Sequence, residues 1–106
     1  MEFLVAIEVV FPHHFTDDQK EHLIAEERLR GKALAAEGIL RAIWRVPGQL
    51  ANRAIWSADD PTQLHRAITS LPLWPYADVA VTALAQHDIG PACLGIPPTL
   101  VIPARP

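Results

Sequence analysis

The chain has a single cysteine among its 106 residues, so no disulfide can close within it. That suits a reducing compartment, and the expected location is the cytoplasm. An excess of positive charge is also missing. Nine lysines and arginines stand against twelve acidic residues, a formal charge of −3. Such a balance offers no field for nucleic acid and no attraction to an anionic membrane surface. No apolar run is long enough to span a bilayer. The apolar opening MEFLVAIEVVF carries Glu2 and Glu8 and lacks a basic leading segment, which argues against a signal peptide. No glycine-rich phosphate loop occurs. His13 and His14 are adjacent rather than one helical turn apart, and no metal site is expected. His22 and His65 read as surface residues, and Cys93, in a proline-rich setting, reads as inert.

What is present is an ordinary globular balance, half hydrophobic and one fifth charged, at a length that suits one compact domain. FLVAIEVVF, residues 3–11, is rich in β-branched residues and bounded by Pro12, which predicts a strand. Residues 16–38 predict a long helix, with Thr16 as N-cap, Asp17 and Asp18 in the first turn and Gly38 just past the end. ILRAIWRV and LANRAIWS are two further strands about the Pro47-Gly48 turn, a hairpin over 39–57. Asp60 caps a second helix, with Pro61 in its first position and Gln63 at the capping-box position. Leu64, Ala67, Ile68 and Leu71 form its apolar face, Pro72 stops it and Pro75 holds the next loop open. DVAVTAL, residues 78–84, is the last strand. The order β-α-β-β-α-β is the α+β, ferredoxin-like arrangement with an antiparallel sheet. The domain is expected over 1–87, followed by a proline-rich tail over 88–106.

The first strand sets a further constraint. Phe3, Val5, Ile7, Val9 and Phe11 line one face, and on the other Leu4, Ala6 and Val10 leave only Glu8 polar. Two helices cover one face of such a sheet. The other calls for a second copy, giving a homo-oligomer of the dimeric α/β-barrel type.

The long helix holds an odd residue. With Leu23 set at zero and ~100° per residue, the apolar stripe centres near ~50° and Glu27 falls at about 40°, inside it. Glu26 falls at about 300°, on the flank, four residues before Arg30. A carboxyl in apolar surroundings has a raised pKa and serves as a base and then as an acid near neutrality. It can equally be a structural group bonded to a strand arginine. Arg41 and Arg45 alternate with Ile39 and Ile43 on one face of the second strand, and either can pair with Glu27 or hold a substrate carboxylate. Trp44 points to the opposite face with Leu40, Ala42 and Val46, as core or pocket wall. Asn52 can donate to a ligand oxygen or bond local backbone. Trp74 and Tyr76 sit in the proline loop, as lid or subunit contact.

Trp44, Arg45, Gly48, Ala51 and Asn52 form a WR-x-x-G-x-x-AN pattern, and Leu71 to Asp78 form LPL-aromatic-P-aromatic-x-D. With these motifs the chain resembles the muconolactone Δ-isomerase family from Met1 to about His87. The resemblance implies a ferredoxin-like fold, dimers built into larger rings (a decamer among them), and neither metal nor organic cofactor. It implies a small-molecule substrate, a butenolide lactone with a carboxymethyl arm, as in aromatic catabolism. A proton leaves the ring carbon γ to the carbonyl, charge spreads as a dienolate onto the lactone oxygen, and the proton returns at the α carbon. That chemistry needs a base, donors near the oxyanion and a cation for the arm. Glu27 matches the family's acidic position, and Arg45 belongs to its pattern, so these two are the expected catalytic residues. Trp44, Asn52, Arg53, Arg41 and Tyr76 are the expected substrate contacts.

The chain departs from the family's catabolic members at Leu4, Ala6, Leu40, Leu50 and Arg53, where they carry histidine, a basic residue and aromatics. A larger and more apolar pocket follows. Three functions are therefore open: a lactone isomerase, including one acting on chlorinated lactones; an isomerase or cyclase of a larger, polyketide-like metabolite; and a non-catalytic binding or assembly module.

Overall fold

The computed structural model describes residues 1–89. Strand β1 (Glu2–Val9) leads through helix α1 (Asp17–Ala36) to the hairpin of β2 (Leu40–Arg45) and β3 (Ala51–Ser57). Helix α2 (Pro61–Thr69), a 3-10 turn (Trp74–Tyr76) and β4 (Ala77–Leu84) follow. The four strands form one antiparallel sheet in the order β2-β3-β1-β4. This is the ferredoxin-like arrangement read from the sequence. Of the expected tail, everything beyond Ile89, Cys93 included, lies outside the described residues.

The local signals act where they stand. Thr16 accepts from the Gln19 amide at 3.1 Å while the Gln19 side chain accepts from the Thr16 amide at 2.8 Å, a reciprocal capping box. At the other end of α1, Gly38 takes φ +79°, its amide donating to Ala35 and the Ile39 amide to Leu34, each at 3.0 Å. That left-handed closure turns the chain into β2. Asp60 accepts from the Gln63 amide at 2.8 Å, but the Gln63 side chain reaches Asp59 rather than the cap residue. Helix α2 ends at Thr69, before the expected stop at Pro72. The Ser70 hydroxyl donates to the Ala67 carbonyl at 2.6 Å, taking up an acceptor that another turn would have used, and the Thr69 hydroxyl donates to the His65 carbonyl at 2.8 Å. The loop expected around Pro75 is the 3-10 turn.

One face of the sheet packs on both helices. Phe3, Val5 and Ile7 of β1, Ala54 and Trp56 of β3, Leu34 of α1 and Leu64, Ala67 and Ile68 of α2 form the core. The other face is open in the single chain. Leu4, Trp44 and Leu84 are exposed there, and Glu8 pairs with Arg53 at 3.6 Å.

Strand β2 departs from regular alternation. A bulge between Leu40 and Ala42 leaves Arg41 without a ladder partner. Leu40 opposite Trp56, Ile43 opposite Ala54 and Arg45 opposite Asn52 then share the helix side. Arg41 therefore does not share a face with Arg45, and Leu40 does not lie with Trp44. Strand β1 also ends earlier than expected. The Val10 amide turns to the Tyr76 carbonyl at 2.8 Å, and Phe11 joins Phe15 and Tyr76 in an aromatic cluster.

Candidate active site

Helix α1 seats on the sheet chiefly through Leu34, its only fully buried residue. Gly31, toward the sheet, is too small to fill the space before it, and a Cβ built there would meet nothing within 4 Å. A cavity of about 340 Å³ results. Ile24, Glu27, Arg28, Gly31 and Lys32 of α1 form one wall, and Leu40, Ile43, Arg45, Asn52 and Trp56 of the sheet form the facing one. Leu71 and Leu73, beyond α2, contribute to its lining, and both are buried.

Glu27 stands at this cavity with one fixed partner. Its Oε1 accepts from the Leu73 amide at 3.1 Å. Among the described residues no other bond engages its carboxylate, and no lysine or arginine nitrogen comes within ion-pair range of it. Burial pushes the Glu27 carboxyl above the ordinary range, and the Leu73 amide pulls it only part of the way back. A structural glutamate neutralised by a strand arginine would have neither property. Its neighbour Glu26 is a solvated group. It pairs with His22 at 3.0 Å, one turn back, while Arg30 donates instead to Ser70 at 2.9 Å.

Of the residues expected from the sequence, the fold brings Glu27, Arg45 and Asn52 to this one cavity. Asn52 has its side-chain oxygen buried without a partner. Trp44 and Arg53 project from the opposite face of the sheet, Trp44 60% exposed, so neither lines the cavity. The reading of Trp44 as core is thereby corrected: it belongs to the face the helices leave bare. Arg41 sits at the bulge, and Tyr76 packs edge-on against Phe15 at 5.1 Å, both away from the cavity lining.

The structure adds residues not singled out in the sequence. Arg28 and Lys32 lie at about 140° and 180° on the wheel that places Glu27 at about 40°, outside the apolar stripe. The small Gly31 and Ala35, at about 80° and 120° between Glu27 and Arg28, were the available sign that space, and not packing, lies on that flank. Trp56 also lines the cavity, 2% exposed, with its indole N–H buried and unpartnered. Among the described residues no three histidine, cysteine or acidic side chains gather as a metal would need, and no helix is long and apolar enough to cross a membrane.

Comparison with known proteins gives a consistent result. The sequence model described as muconolactone delta-isomerase matches residues 1–89. Muconolactone Delta-isomerase 2 of Acinetobacter lwoffii is 34% identical over 87 residues, 82% of this chain and 91% of that protein. Muconolactone Delta-isomerase of Pseudomonas aeruginosa is 36% identical with the same coverage of both chains. A crystal structure of muconolactone isomerase at 3.3 Å resolution superposes with a TM-score of 0.77 at 32% identity, covering 83% of this chain and 92% of that one.

Proposed function

The chain belongs to the muconolactone Δ-isomerase family, and from that premise we propose that it shifts a proton on a lactone or related enolisable small molecule, with Glu27 as the base. The observation that carries this reading is a carboxyl of raised pKa, free of any cationic partner among the described residues, at the side of a cavity. Ionised, Glu27 takes the proton from the ring carbon γ to the carbonyl. The electron pair moves through the double bond onto the carbonyl oxygen. The protonated Glu27 then returns the proton to the α carbon, so atoms and charge balance without a further reactant. Its raised pKa narrows the gap to the carbon acid, which favours abstraction, while the carboxylic acid so formed is still acid enough to return the proton to the dienolate. Asn52 is the donor for the oxygen that gains charge, and Arg45 holds the carboxylate of the arm. Incubating muconolactone with the protein in deuterium oxide and following it by proton NMR tests the reading. Isomerised lactone forming above the protein-free rate is expected, with deuterium at its α carbon wherever the proton on Glu27 exchanges with solvent before its return, and no conversion above that rate would overturn it.

Arg45 has no carboxylate partner among the described residues, so removing it leaves no buried charge alone. Arg45→Met is therefore expected to weaken lactone binding by roughly tenfold or more, in line with ~1.5–3 kcal/mol for a hydrogen bond to a charged group. Stability should change by no more than about 0.5 kcal/mol. Ligand titration beside thermal melting reads both numbers.

A cytoplasmic homo-oligomer completes the reading. The open sheet face presents Leu4, Trp44 and Leu84, and its Glu8–Arg53 pair is self-neutralising, so a second copy meets apolar surface without repulsion. Light scattering is expected to find at least a dimer at micromolar concentration, and Trp44→Glu is expected to reduce it to the monomer. The cations around the cavity count against a large apolar metabolite as substrate.

A further inference from the structure

Several basic side chains among the described residues have a partner, Lys20 the ring of Phe11 among them. Arg53 pairs with Glu8 and Arg30 donates to Ser70. Arg28, Lys32 and Arg45 differ in converging on one cavity, and no described carboxylate lies within ion-pair range of any of them. Their sequence spacing offers none. On α1 the positions three and four residues either side of Arg28 are Ile24, Ala25, Gly31 and Lys32, and those about Lys32 are Arg28, Leu29, Ala35 and Ala36. A like-charged pair at i,i+4 disfavours its helix. Arg45 faces Asn52 across the ladder, again without a carboxylate.

The three cations also come from two sides. Arg28 and Lys32 stand on the helix wall, one turn apart, and Arg45 stands on the strand wall. One carboxylate on a lactone arm engages one such wall. The cavity, at about 340 Å³, lies within the range of ~300–1,000 Å³ found for drug-sized ligands, so a substituted lactone fits. We propose that the substrate is a dianionic lactone bearing two carboxylates, one met by Arg45 and the second by Arg28 and Lys32. This rests on the lactone reading above and narrows it: the pair on α1 selects the second acid group, while the proton shift stays with Glu27. A charged pair of contacts of this kind raises affinity and speeds capture, and both gains fall with salt.

The test compares two probes by calorimetric titration of the full chain: muconolactone, with one carboxylate, and the same lactone carrying a second carboxylate on the ring. The dicarboxylate is expected to bind at least tenfold more tightly. In the double variant Arg28→Gln/Lys32→Gln that preference is expected to collapse to about twofold, and Arg66→Gln, which lines no part of the cavity, should retain it. Equal affinities in the parent, or a preference that survives the double variant, would overturn the assignment. Deuterium exchange keeps the two readings apart. If both lactones exchange in a Glu27-dependent way but bind equally, the second-carboxylate site is wrong and the isomerase reading stands. If the dicarboxylate is preferred through Arg28 and Lys32 yet neither lactone is isomerised, the anion site stands and the isomerase reading fails.

Discussion

Replacing Glu27 by glutamine is expected to slow deuterium exchange into the lactone by at least ~10²-fold, the low end for loss of a general base. The glutamine keeps the size of the side chain, and its carbonyl oxygen can still accept from the Leu73 amide. Fold and assembly should therefore match the parent, which isolates the chemistry. Glu26→Gln is the control one residue away. Its carboxylate is exposed and pairs only with His22, so little change is expected. Equal exchange in the parent and Glu27→Gln would remove Glu27 as the base. The same variant has a second signature. Burial raises the folded-state pKa of Glu27 above its unfolded value. The stability linked to this group is thus fully present below the unfolded pKa and is lost as pH rises through the folded one. Glutamine does not ionise and escapes that loss. Glu27→Gln should melt higher than the parent at neutral pH, and the difference should close as pH falls through the carboxyl range.

Trp56→Ala is expected to destabilise the protein by ~3–5 kcal/mol, the usual range for removing a large core aromatic. That is severe against the ~5–15 kcal/mol that holds a domain together. Trp56 is among the largest sealed side chains, packed in the core and directly opposite Phe3 and Leu40 in the ladders. Trp56→Phe should behave differently. It gives up some contact area but also deletes a buried N–H that has no acceptor, a group that costs ~1–3 kcal/mol to leave unpaired. The two effects oppose each other, and the net change should stay within ~1 kcal/mol. Urea unfolding followed by circular dichroism separates the outcomes. A Trp56→Phe as unstable as Trp56→Ala would mean that the indole N–H has a partner in solution.

The helix caps and turns were legible because their causes are local. Thr16 and Asp60 as caps, and Gly38 and Gly48 at turns, act on atoms within a few residues of themselves, whereas the reciprocal bond expected of Gln63 goes to Asp59. Glu27 was legible because helical periodicity places it before any tertiary contact is known. The phase of β2 was not. Reading Ile39, Arg41, Ile43 and Arg45 as one face assumes an unbroken period of two, and the bulge at Arg41 is set by how β2 meets β3. The same limit hid Arg28 and Lys32. On the wheel they flank the stripe as solvated charges do, and only the separation of α1 from the sheet turns that flank into a cavity wall. Trp44 was assigned to the core from the apolar residues read on its face of β2, whereas the two helices cover only the opposite face.

The hydrogen bond from Leu73 to Glu27 joins positions 46 residues apart. It ties the first helix to the segment that follows the second. As the chain leaves the ribosome, α1 can coil and the β2–β3 hairpin can close early, since both rest on near-neighbour contacts. The carboxylate has no anchor at that stage. It is fixed in place only when residues beyond α2 have docked, with β4 closing against β1. The proposed base is thus synthesised before the residues that set it, so a partly folded chain carries Glu27 without the contact that orients its carboxylate.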